Sequence, residues 1–153
     1  MKNAALTRVC LWALVIMMGP SSRATTCSVS DANINFGVYN PLSSLPDDTN
    51  ATIQTSCQAG TGVGVSYTIS ATTVLNEGER TLSSAGSSLQ YNLYLDTART
   101  VIWGDGTSGT SMIQDSFQGS ATKTYSVYGR IFGGQYAATT GTYADTLTIT
   151  VSY

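Results

Sequence analysis

Histidine is absent from this chain of 153 residues. That removes the usual base of a hydrolytic triad and the commonest side-chain metal ligand. The serines are many, yet no Gly-x-Ser-x-Gly elbow occurs among them, so nucleophilic catalysis lacks both its base and its turn. Cysteine occurs three times and never as C-x-x-C, which leaves dithiol redox and zinc chemistry without their spacing. Charged residues make up only 10% of the chain and proline occurs three times. No stretch holds a 3.6-residue apolar period long enough for a helix, and there is no repeat or linker.

What is present begins with an export leader. Lys2 and Arg8 precede an apolar run from Val9 to Met18, followed by Gly19, Pro20 and the small-residue pattern Ser22-Arg23-Ala24. This predicts a secretory signal over residues 1–24, cleaved after Ala24, and a mature domain over residues 25–153. The run is too short to span a bilayer. Neither Cys10 nor Cys27 follows the small-residue pattern of a lipidated cysteine. Removal of the leader takes Lys2, Arg8 and Arg23 with it, leaving four basic residues against nine acids, a net charge of 4 − 9 = −5. An acidic surface of this kind disfavours nucleic acid and anionic membranes as partners. Cys27 and Cys57 remain, and two cysteines exported to an oxidising compartment are expected to pair.

The body alternates as β-strand does. Ile53, Thr55 and Cys57 share one parity, as do Val63, Val65, Tyr67 and Ile69, and again Leu89, Tyr91, Leu93 and Leu95. Further strands are predicted at Val101 to Trp103 and at Tyr125 to Phe132. The first strand changes parity between Val29 and Ala32, which predicts a bulge near Asp31. Turn signals such as Asn40-Pro41, Gly60-Thr61-Gly62 and Gly133-Gly134 divide these runs. The fold class is therefore all-β, an antiparallel sandwich of immunoglobulin type. At the C-terminal end, Leu147, Ile149, Val151 and Tyr153 form the apolar face of a strand with Thr148, Thr150 and Ser152 opposite. An apolar strand with no later residues to cover its edge predicts an incomplete sandwich, missing its final strand and open to a strand of another chain.

Together, Cys27-Ser28-Val29, Phe36-Gly37-Val38-Tyr39-Asn40-Pro41, Leu89-Gln90-Tyr91-Asn92-Leu93-Tyr94, Trp103-Gly104-Asp105-Gly106, Tyr128-Gly129-Arg130-Ile131 and the ending from Gly141 resemble the spore coat protein U domain family. That family is shared with archaic chaperone-usher pilins. The resemblance implies a structural subunit of a surface fimbria, not an enzyme, exported through the periplasm to the cell surface or secreted. Its implied partners are a periplasmic chaperone, an outer-membrane usher and other pilin subunits, working by donor-strand complementation. Leu147, Ile149, Val151 and Tyr153 would then form the acceptor-groove strand. Cleavage after Ala24 would leave only Thr25 and Thr26 before Cys27, too few to pair along a groove at about 3.4 Å per residue. A terminal subunit is accordingly expected rather than a propagating one.

Other chemistry has bland readings beside it. Trp103 and Asp105 offer a candidate ligand loop, an aromatic platform with a carboxylate for a sugar, as in a surface adhesin or lectin-like module of a biofilm. Asp-Gly is also a favoured tight-turn pair. Glu77, Glu79 and Arg80 are placed in a loop, where neighbouring acids are ordinary and not a glycosidase pair. Asp47, Asp48 and Asn50 supply oxygens without any calcium-loop spacing. No cofactor, metal site or catalytic residue is expected, and a spore or cyst coat protein is the remaining alternative.

Overall fold

The computed structural model describes residues 24–73 and 78–153. The predicted leader and Glu77 lie outside the described residues, apart from Ala24. Eight strands occur: β1 (Thr26–Val29), β2 (Asp47–Gln58), β3 (Gly64–Thr72), β4 (Arg80–Ser84), β5 (Ser87–Tyr94), β6 (Ile113–Gln118), β7 (Ala121–Ile131) and β8 (Thr148–Ser152). They form a five-stranded sheet, β1-β2-β7-β5-β4, and a three-stranded sheet, β6-β3-β8. Every strand pair is antiparallel. The two-residue connection between β4 and β5 places Gly86 at φ 88°, a left-handed backbone that a residue without Cβ adopts freely.

The period of two does the folding work. Val65, Tyr67, Ile69 and Ala71 of β3 are all buried, and they pack with Ile53, Leu93, Val127 and Ile131 from the larger sheet. Each such aliphatic side chain contributes about 1.5–3 kcal/mol when fully withdrawn from water. Cys27 and Cys57 sit directly opposite one another in the β1–β2 register and are joined as a disulfide. Pairing of the two thiols thus ties an edge strand to the sheet interior.

Four expectations from the sequence change here. Arg80 is not in a loop: it opens β4 at 0% exposure. Val63 is 44% exposed and lies before β3 rather than on its inner face. Val101 to Trp103 makes isolated bridges, Tyr94 with Ile102 and Trp103 with Ser111, instead of a strand. The parity change after Val29 marks the end of β1 and not a bulge within it, because residues 30–46 leave the sheet.

Candidate functional site

On one side β8 bonds β3, in register from Thr68 with Ser152 to Thr72 with Thr148. On its other side no described strand is paired to it, and it is an edge of the smaller sheet. Facing that edge across an opening runs the segment that follows β1. The Ser30 amide donates to the Gln54 carbonyl at 2.8 Å, and the Thr49 hydroxyl donates to the Asn35 carbonyl at 2.9 Å. These bonds hold the segment against β2. Phe36 lies over Gly129, where a Cβ would come within 2.7 Å of the ring, so a glycine is needed at that crossing. The Phe36 ring also meets Tyr91 edge-on, centroids 5.9 Å apart.

A cavity of about 420 Å³ lies between this segment and Leu147 and Ile149, and it adjoins one of about 610 Å³ between residues 33–41 and 138–145; the two share Asn33, Ile34, Phe36, Leu82 and Asp145 in their walls. They read as one groove. Tyr91 and Leu93 of β5 form part of its floor, Leu147 and Ile149 its far wall. Leu147, Ile149 and Val151 are half-buried and packed on the core. Tyr153, on the same parity, is 58% exposed. Within this lining, the Tyr91 hydroxyl donates to Asp145 Oδ2 at 2.7 Å. Burial, reinforced by that bond to a carboxylate, pushes the Tyr91 phenol well above its ordinary value.

The candidate ligand loop has a different character. Trp103 is 1% exposed, and its Nε1 donates to the Ile69 carbonyl at 3.1 Å. A ring enclosed in this way offers no face to a sugar, so Trp103 serves as core. Asp105 Oδ1 accepts from the Thr107 hydroxyl at 2.6 Å and the Thr107 amide at 2.9 Å. Those bonds, the hydroxyl foremost, hold its carboxyl below the usual range, and they close the turn around Gly106.

Beneath the groove floor is an arrangement that the sequence did not announce. The Arg80 guanidinium donates from Nη1 to Asn92 Oδ1 at 3.0 Å, and from Nη2 to the carbonyls of Ala71 at 2.9 Å and Trp103 at 2.7 Å. One buried cation thereby joins β3, β4, β5 and the Trp103 loop. Its sequence signal was only a lone arginine beside a turn. At the surface, Asp48 accepts two bonds from Arg130 at 2.7 and 2.8 Å and lies 3.2 Å from Arg99, so its carboxylate oxygens are engaged by cationic side chains. Among the described residues no group of three metal-ligating side chains occurs, and no helix is long and apolar enough to cross a membrane.

An immunoglobulin-like sandwich with a groove beside the β8 edge of its smaller sheet is the class of domain these observations define. The Spore Coat Protein U domain (SCPU) matches residues 16–150, and the chain belongs to that family. A search of curated proteins returned no match. Among solved structures, the chain is similar to one from the CsuC-CsuE chaperone-tip adhesion subunit pre-assembly complex of the archaic chaperone-usher Csu pili of Acinetobacter baumannii. The TM-score is 0.57 at 16% identity, covering 85% of this chain and 40% of that one. The likeness is one of fold, and this chain spans less than half the length of that relative.

Proposed function

We propose that this protein is a structural subunit of a surface fimbria of the archaic chaperone-usher type, and that its groove accepts a β-strand from another protein. The observation that carries this reading is the unpaired edge of β8 lying beside an opening whose walls include Ile34, Leu147 and Ile149. A strand laid there would satisfy the β8 backbone and cover Leu147, Ile149 and the facing Ile34 in one step. The occupant during export is a periplasmic chaperone. An outer-membrane usher then exchanges it for a segment of a neighbouring pilin subunit, so that the protein reaches the cell surface through the periplasm. A terminal place in the fibre is part of the proposal, and rests on cleavage after Ala24. N-terminal mass analysis of exported protein tests it, with a longer segment ahead of Cys27 as the contrary result.

Fusing an alternating apolar strand after Tyr153 through a flexible linker tests the groove itself. The fused strand raises the thermal midpoint of the purified domain by roughly 10 °C or more, as expected for several kcal/mol of added burial. The same strand with its apolar positions changed to Asp gives no rise. A monomer already stable alone, with an unchanged midpoint on fusion, would overturn the reading.

A further inference from the structure

The groove mixes apolar and polar side chains, and its charge is of one sign. Asp145 lines both of its cavities, and Asp31 lines one of them from the opposite lip, while no lysine or arginine contributes to either wall. Asp145 Oδ2 accepts from the Tyr91 hydroxyl at 2.7 Å and Oδ1 from the Thr146 amide at 2.8 Å. A carboxylate offers about four acceptor positions, so part of its capacity is left to solvent. Neither Asp145 nor Asp31 forms an ion pair among the described residues. Arg80, the register partner of Tyr91, directs its guanidinium to Asn92 and to the Ala71 and Trp103 carbonyls instead.

An incoming strand would exclude water from this carboxylate. Withdrawing an ionised group from water without a counter-charge is costly, and a hydrogen-bonded cation offsets the cost. We propose that the groove selects an extended partner segment whose apolar alternation is interrupted by one lysine or arginine placed against Asp145. The inference rests on the strand-acceptor reading and adds its selectivity. It commits to a basic segment of a partner protein, because the groove wall supplies two carboxylates and no cation. All-apolar and acidic segments are the competitors.

The experiment is a scan in the full mature domain. An alternating apolar strand is fused after Tyr153, and a single Lys, Ala or Glu is moved along the positions that face the lip carrying Asp145. At one position the Lys fusion is expected to melt roughly 4 °C above its Ala counterpart and the Glu fusion below it. The Lys advantage should shrink by more than half in 1 M salt, where the screening length falls to about 3 Å. Asp145→Asn should remove that advantage and keep the midpoint gain of the all-apolar strand. Should this variant fail to fold, the salt titration of the unsubstituted domain decides alone. A Lys advantage at no position, or one insensitive to both salt and Asp145→Asn, overturns the selectivity while the groove stands. Failure of every fused strand to raise the midpoint overturns the groove reading and this inference with it.

Discussion

β3 and β8 lie side by side in one sheet, with Ile69 opposite Val151 and Ala71 opposite Ile149, yet they end in different environments. Along β3 the inward residues are buried, with Ile69 and Ala71 at 0% exposure. On β8 the same parity is only half-buried. Both strands carry alternating apolar side chains, so the difference does not come from residue type. β3 has a bonded neighbour on each side and β8 has one. Burial here differs between two strands of one sheet that share the same alternation, and under the strand-acceptor proposal the half-buried face of β8 is the one a partner would cover.

The closed core should break hardest. Arg80→Ala in the strand-fused domain withdraws the donors of the Ala71 and Trp103 carbonyls and leaves space below Tyr91, and is expected to cost about 3–5 kcal/mol. Denaturant unfolding measures it, and a loss below about 1 kcal/mol would mean that the cation does not hold the two sheets together. Replacing Cys27 and Cys57 by serine should cost roughly 3–4 kcal/mol, as the chain-entropy account gives for a loop of 30 residues. Intact mass of exported protein checks the bond directly: two free thiols would contradict it.

The β8 edge breaks in a different way. Ile149→Asp should remove most of the benefit of a fused strand, roughly 2 kcal/mol or more, because the charge faces the space that the strand must fill. Thr148→Asp, on the opposite parity, should remove little. Equal losses from the two would refute the assigned face. The smallest effect belongs to the surface: Asp48, whose carboxyl is held low first by its hydrogen bonds from Arg130, should contribute no more than about 1 kcal/mol. A folded-state value depressed below the unfolded one makes this contribution complete at neutral pH. It is lost as the pH falls from about 4 through the lower folded value. Asp48→Asn should flatten that part of the stability profile.

Much of the sandwich was legible because alternation survives in short windows. The half-buried face of β8 and the inner face of β5 are visible as parity, and the bond between Cys27 and Cys57 follows from two cysteines remaining in a chain expected to be exported. Arg80 was not, since a charged residue beside Gly78 and Glu79 reads as solvated until its acceptors are brought in from β3, β5 and the Trp103 loop. β6 escaped because Gln114, Asp115 and Ser116 outweigh its two apolar residues, Ile113 and Phe117. Residues 30–36 were read as a bulged strand when they form one lip of the groove. Their alternation is genuine, but what it faces is an opening, and an opening has no sequence of its own.

The two lips have one more consequence, and it concerns time. One comes from residues 29–36 and the other from residues 145–149, so the groove forms only when both segments are folded into place. Its closure awaits contacts between segments far apart along the chain, the slowest kind to form. A partner that recognised both lips at once would therefore engage only domains in which both segments are in place, and its binding would act as a check on folding.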